Sequence, residues 1–159
     1  MSNYTAYIGG EPQMYSGSAG SGFVLLRDDE EVCTAGAYLG QATNYVAEYS
    51  ALIWVLENAL ALGVTEIDVY TDSDLIVKQV TGEYGVKAAG LKPLQVAAAE
   101  LCRGFERCML IQIPREENIR RATQLAKEAV GVQAQVGICE VSPEDIPALM
   151  PIFLFGELG

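Results

Sequence analysis

Thr43 to Val80 reads TNYVAEYSALIWVLENALALGVTEIDVYTDSDLIVKQV, and the spacing within it decides the fold. Thr43 and Asn44 are both good N-cap types. After them apolar residues recur at Val46, Tyr49, Leu52, Ile53, Leu56, Ala59 and Leu60, the broad stripe of an amphipathic helix. Gly63 stands where a C-terminal glycine would end that helix. Glu66 to Thr71 then alternates, with Ile67 and Val69 apolar, as a half-buried strand does. Ser73 opens a second short helix through Leu75, Ile76 and Val80. Asp72 therefore falls at the carboxyl end of a strand, the edge at which open α/β sheets bind ligands. A helix that carries Glu48 in its first turn can bring a second carboxylate beside it.

Outward from this unit, Tyr4 to Gly9 reads as a strand and GEPQMYSGSAG, residues 10–20, as a turn-rich connection. Gly22 to Arg27 is a second strand, DDEE at 28–31 a charged hairpin turn, and Cys33 to Leu39 a third strand. The glycines near the start do not form a phosphate cradle, since no Lys-Ser/Thr follows and no helix begins there. Downstream, Leu91 to Phe105 has helical spacing with Leu94, Val96, Ala97, Leu101 and Phe105 inward. Cys108 to Pro114 is a fifth strand, and Glu116 to Val130 a helix whose acidic first turn suits the helix dipole. The opening strands read as an antiparallel meander, after which the helix beginning near Asn44 crosses to a parallel fourth strand.

Three strings in this frame, TNYVAEYSALIWVLENALALG, VYTDSDLIVKQVTGEY and IPREENIRRATQLAKEAV, resemble type 1 ribonuclease H, in the branch whose motifs read TNxxAEY, YSDSxLVVxQ and PREENxxADxLA. The resemblance covers roughly residues 4–130. It implies a ribonuclease H-like α/β fold, a mixed five-stranded sheet in the order 3-2-1-4-5 with helices on both faces. It also implies four carboxylates holding two divalent ions about 4 Å apart, which activate a water and stabilise the leaving oxygen of an RNA strand paired to DNA. Glu48 and Asp72 match two of the four, as catalytic and metal-binding positions. Asn44 matches a residue that contacts the nucleic-acid backbone, whereas the asparagine that usually follows it is Tyr45 here. The basic, tryptophan-bearing handle that some members insert after the second helix has no counterpart.

The other two carboxylates are absent. The first-strand acid of the family aligns with Gly9 and the last-helix acid with Thr123, and neither residue can replace a carboxylate. Hard divalent cations need several oxygen ligands, so metal binding is expected to be poor, with Mg²⁺ or Mn²⁺ the cofactor only if the site is active. Glu11 is the nearest acid to the lost one in the first strand and reads as a solvated turn residue. Asp74, in the opening turn of a helix, reads as a dipole partner. Asn44 is explained equally by N-capping. Around Thr123, one turn either way, stand Arg120 and Lys127; a cation from this pair is expected to span the gap between Glu48 and Asp72 that an ion would fill.

Composition narrows the function further. The chain has 159 residues, half of them hydrophobic, and a net charge of -11. Its length suits one domain that buries about two thirds of its unfolded surface. No apolar run approaches the roughly 20 residues of a membrane span, and MSNYTAYIGG is not a signal peptide, so a cytoplasmic location without membrane contact is expected. Four cysteines, Cys33, Cys102, Cys108 and Cys139, form no CxxC pair. With no histidine in the chain either, no zinc site is expected and the thiols are expected to be buried and free. The acidic balance opposes nucleic acid, which is gripped through Lys and Arg.

Residues 1–130 are expected to form the ribonuclease H-like domain. Residues 131–159 form an extension with a strand at Val136 to Val141 and a short helix at Ser142 to Met150. The apolar Ile152 to Phe155 would pack on the domain or on a second copy, favouring a homodimer. Three functions follow: a non-catalytic or weakly active binding or assembly module, a metal-dependent nuclease acting on RNA–DNA hybrid, or a structural subunit that meets only protein.

Overall fold

The computed structural model describes residues 3–12 and 18–154; most of the connection between the first two strands, and Phe155 of the apolar tail, lie outside the described residues. Twelve elements follow in order: β1 (Tyr4–Pro12), β2 (Ser18–Arg27), β3 (Glu30–Gln41), α1 (Asn44–Ala61), β4 (Glu66–Thr71), α2 (Asp74–Val80), α3 (Lys92–Arg103), β5 (Arg107–Gln112), α4 (Glu117–Val132), β6 (Val136–Ile138), a 3-10 turn (Pro143–Asp145) and α5 (Met150–Leu154).

The sheet runs β5-β4-β1-β2-β3-β6, the expected five-strand order with a sixth strand added. β1 and β2 are antiparallel, as are β2 and β3, while β4 lies parallel to β1 and β5 parallel to β4. The β2–β3 hairpin closes at Asp28 and Asp29, both at positive φ, the twist that a two-residue turn needs to match its strands. The sixth strand comes from the tail: Val136–Ile138 pairs antiparallel with Thr34–Gly36. It is shorter than the expected Val136 to Val141, because the chain leaves the edge of β3 to reach α1.

Neighbouring residues of β1 fix the two layers. A side chain at Gly9 would point at α4 and one at Gly10 at Ala47 and Glu48 of α1, and successive residues of a strand face opposite sides. α1 and α4 therefore sandwich the sheet. On the α1 side, Phe23 of β2 meets Trp54 edge to face at 4.9 Å, a geometry aromatic pairs prefer.

α1 is buried on nearly every side, Ala51 through Leu56 included, so its burial is wider than the stripe read from the sequence. The tail covers its outer face. Trp54 Nε1 and Asn58 Nδ2 both donate to the Val141 carbonyl, at 2.7 and 3.1 Å, and the Val141 amide donates back to Asn58 Oδ1 at 2.8 Å. Ile146 and Leu149 are buried, and Ile152 and Phe153 lie against Ala19, Leu39 and Ala47. The tail helix expected at Ser142 to Met150 is instead the 3-10 turn followed by α5, which holds Pro151 in its first turn. In α3, Leu94 and Ala98 are buried, with Phe105 beyond its end, and Ala97 and Leu101 pack half-buried against the core as expected, while Val96 is exposed. No helix of the described residues is long and apolar enough to cross a membrane.

Candidate functional site

β1 and β4 run side by side, and the opening turns of α1 lie against β1 near its carboxyl end, where Gly10 faces Ala47 and Glu48. Thr43 caps α1, its side chain accepting from the Val46 amide at 3.2 Å. Asn44 is therefore the first helical residue rather than the cap, and its Nδ2 donates to Glu48 Oε1 at 3.1 Å. Glu48 follows a full turn later, too deep in the helix for the first-turn dipole effect to explain it. From β4 the chain turns through Asp72 to Ser73, which caps α2 through the Ile76 amide. The Tyr49 hydroxyl donates to Gln79 Oε1 at 2.7 Å in the core and locks α2 against α1.

Glu48 and Asp72 thus meet in one open cleft of about 580 Å³, lined also by Gly10, Glu11, Asn44, Tyr45, Ser73, Asp74, Leu75 and Arg115. Burial pushes the Glu48 carboxyl above its ordinary range. The Asp72 charge adds to this, and the Ser73 hydroxyl, the Asn44 amide and Arg115 offset it incompletely. Its Oε2 is buried without a well-formed hydrogen bond.

A group whose folded pKa is raised contributes most to stability below its unfolded pKa, and that contribution is lost as pH rises through the folded value. Glu48 is thus a liability at neutral pH. Glu48→Gln is expected to melt above the parent at pH ~7 and close to level with it near pH ~4, where the carboxyl is mostly protonated in both states. Melting curves at the two pH values check this; a variant that melts below the parent at pH ~7 contradicts it.

The counter-charge in the cleft is Arg115, whose Nε donates to Asp72 Oδ2 at 3.0 Å. Neither cation expected there fills the role. Ala122, Thr123 and Ala126 take the sheet-facing stripe of α4, which leaves Arg120 and Lys127 exposed. Arg115 was not picked out from the sequence. Its signal lies in the parallel register: Thr71 pairs with Gln112, and the Ile113 amide donates to the Thr71 carbonyl at 2.9 Å, so a residue just past β5 falls beside one just past β4.

The positions of the two missing acids are brought together and closed. A Cβ built on Gly9 would stand 2.5 Å from Thr123 Oγ1, 2.8 Å from the Thr123 amide nitrogen and 3.2 Å from its Cα. Real Cβ contacts do not come so close, and two of those atoms are backbone. α4 has settled onto β1 where the side chain of a first-strand acid would need room. Thr123 is buried, its Oγ1 without a hydrogen-bond partner.

Glu11 lines the rim of the cleft. Asp74 is held by Lys78 at 3.1 Å. Among the described residues no three Asp, Glu or Cys side chains are placed to hold one metal ion. Within the cleft, Glu48 Oε2 is buried without a hydrogen-bond partner. With Asp72 committed to Arg115 and no space at Gly9, the donor set does not fit a pair of divalent ions.

A family model described as reverse transcriptase-like matches residues 9–129. The chain is 38% identical over 126 residues to a ribonuclease HI of Halobacterium salinarum, covering 79% of this chain and 63% of that protein. It thus spans under two thirds of that relative's length. The crystal structure of RNase H1 from Halobacterium salinarum superposes with a TM-score of 0.76 at 37% identity, covering 82% of this chain and 98% of that one. An RNase H1 solved in complex with an RNA/DNA hybrid does so with a TM-score of 0.75 at 34% identity, over 82% of this chain and 99% of that one.

Proposed function

The chain belongs to the reverse transcriptase-like family as a ribonuclease H-like domain, and from that premise we propose that it is a hydrolytically silent member acting through binding or assembly. The observation that carries this is the close approach of Thr123 to Gly9. It leaves no volume for the acid whose role the resemblance places there. The Arg115 guanidinium on Asp72 supports the same reading: a fixed organic cation neutralises the carboxylate as an ion would, yet it offers no coordination site on which to activate water.

RNA–DNA hybrid is the partner class suggested by the hybrid-bound RNase H1. The grip is expected to be weak, because the net charge is -11 and the cleft sets Glu11, Glu48, Asp72 and Asp74 against Arg115. A second reading, a nuclease that uses Glu48, Asp72 and Glu11 with Mg²⁺ or Mn²⁺, draws on the 38% identity to a ribonuclease HI.

Incubation of the whole chain with a labelled hybrid separates the two. The expected result is no cleavage with Mg²⁺ and at most a trace with Mn²⁺. Specific cleavage that Asp72→Asn abolishes would overturn the proposal in favour of the second reading.

A further inference from the structure

Two of the four cysteines lie in contact outside the cleft. Cys102 is on the last turn of α3 and Cys108 on the second residue of β5. The Cys108 thiol donates to Cys102 Sγ at 2.8 Å, within about 0.8 Å of a bonded S–S length of roughly 2.05 Å. The backbone between them is already fixed. Gly104 and Phe105 donate to the carbonyls of Leu101 and Cys102, Phe105 is buried, and the amides of Glu106 and Arg107 both donate to Thr65. Both thiols are only partly buried.

We propose that Cys102 and Cys108 form a redox-responsive thiol pair that small disulfides, glutathione disulfide for one, oxidise to an intramolecular disulfide. The Cys102 thiolate attacks one sulfur of the small disulfide, a mixed disulfide forms, and one small thiolate leaves and takes up a proton. Cys108 then gives up its proton and attacks Cys102 Sγ, expelling the second small thiol. Two protein thiols become one disulfide as one small disulfide becomes two thiols, with no further oxidant.

The local charges give the order of attack. The hydrogen bond from Cys108, aided by Arg103, pulls the Cys102 thiol down, and the same hydrogen bond together with burial pushes Cys108 up. Once Cys102 is in the mixed disulfide its negative charge is gone, and the main obstacle to ionising Cys108 goes with it. The other two thiols are poor competitors. Cys33 is buried, pushed up to about 12, and donates to the Ile138 carbonyl, and burial also raises Cys139.

The bond would staple α3 to β5, an edge strand with β4 as its sheet neighbour. Cys108 pairs with Ile67 near the start of β4, at the end of the sheet away from the cleft. In a reducing compartment such a pair is transient rather than a permanent staple.

The test treats the folded, fully reduced chain with excess glutathione disulfide and maps thiols by mass spectrometry and proteolysis. The expected product has lost two hydrogens, keeps Cys33 and Cys139 free, and forms roughly tenfold faster than any adduct on those two. Cys108→Ser should arrest as a glutathione adduct on Cys102. Four free thiols after prolonged exposure, a Cys33–Cys139 link, or a Cys108→Ser adduct on Cys33 or Cys139 in place of Cys102 would each overturn the proposal.

Discussion

A variant with both family acids restored, Gly9→Asp with Thr123→Asp, is expected to leave hybrid uncut and to be less stable than the parent by about 3 kcal/mol. Replacing Thr123 removes its hydroxyl from the path of the new side chain but not its amide nitrogen, which stands 2.8 Å from the Cβ position of Gly9. Forcing atoms into a packed interface costs roughly 1–3 kcal/mol. The added carboxylates also enter a site where Glu48 is already pushed up by burial and by Asp72, and close like charges raise one another further. Against a typical stability of about 5–15 kcal/mol the loss is easily read by denaturant titration. A variant as stable as the parent that cuts hybrid with Mn²⁺ would show that α4 withdraws freely, and that sequence alone silences the site.

The seat of α4 on the sheet carries the second large effect. A Cβ on Gly22 would fall 2.0 Å from the Ala122 carbonyl oxygen and 3.0 Å from the Ala126 amide nitrogen. Both are backbone atoms of the helix, so no side-chain adjustment relieves the contact. Gly22→Ala is expected to cost about 2–3 kcal/mol, and Ala122→Gly is expected not to rescue it. Gly131, in the last turn of the same helix, has open space around its Cβ position. Gly131→Ala is expected to stabilise by up to about 1 kcal/mol, since alanine is the better helix former. The opposite signs of two identical substitutions, measured in one denaturation series, distinguish close packing from a general intolerance of change. If Gly22→Ala is neutral, α4 does not rest on the sheet as described.

The two anchors of the cleft were legible in the sequence because each depends on local pattern. Glu48 and Asp72 sit at fixed distances from a helix start and a strand end, and periodicities of 3.6 and 2 locate both. The element order and all six strands followed from the same signals, although the sixth ends at Ile138 rather than Val141. What was not legible depends on contacts between distant segments. Arg115 reaches Asp72 because β5 lies parallel to β4 in one particular register. The tail adds a strand to β3 because Val141 finds Trp54 and Asn58 on α1.

Gly9 was read as the place of a lost acid, but glycine as a floor for a helix has no local signature. The same holds for Gly22. Arg120 and Lys127 have the right spacing from Thr123 along α4, and they failed because the small residues of that helix turn to the sheet and carry the long ones into solvent.

On the proposed reading, α4 and Arg115 together close the position where a pair of divalent ions would sit. It is tested most directly by a crystal of the unaltered chain soaked in Mn²⁺, with the anomalous signal of the metal as readout. The expected map holds no Mn²⁺ between Glu48 and Asp72, the guanidinium of Arg115 still on the Asp72 carboxylate, and Thr123 still against Gly9. Two Mn²⁺ ions bridged by Glu48 and Asp72, with Arg115 displaced, would contradict it.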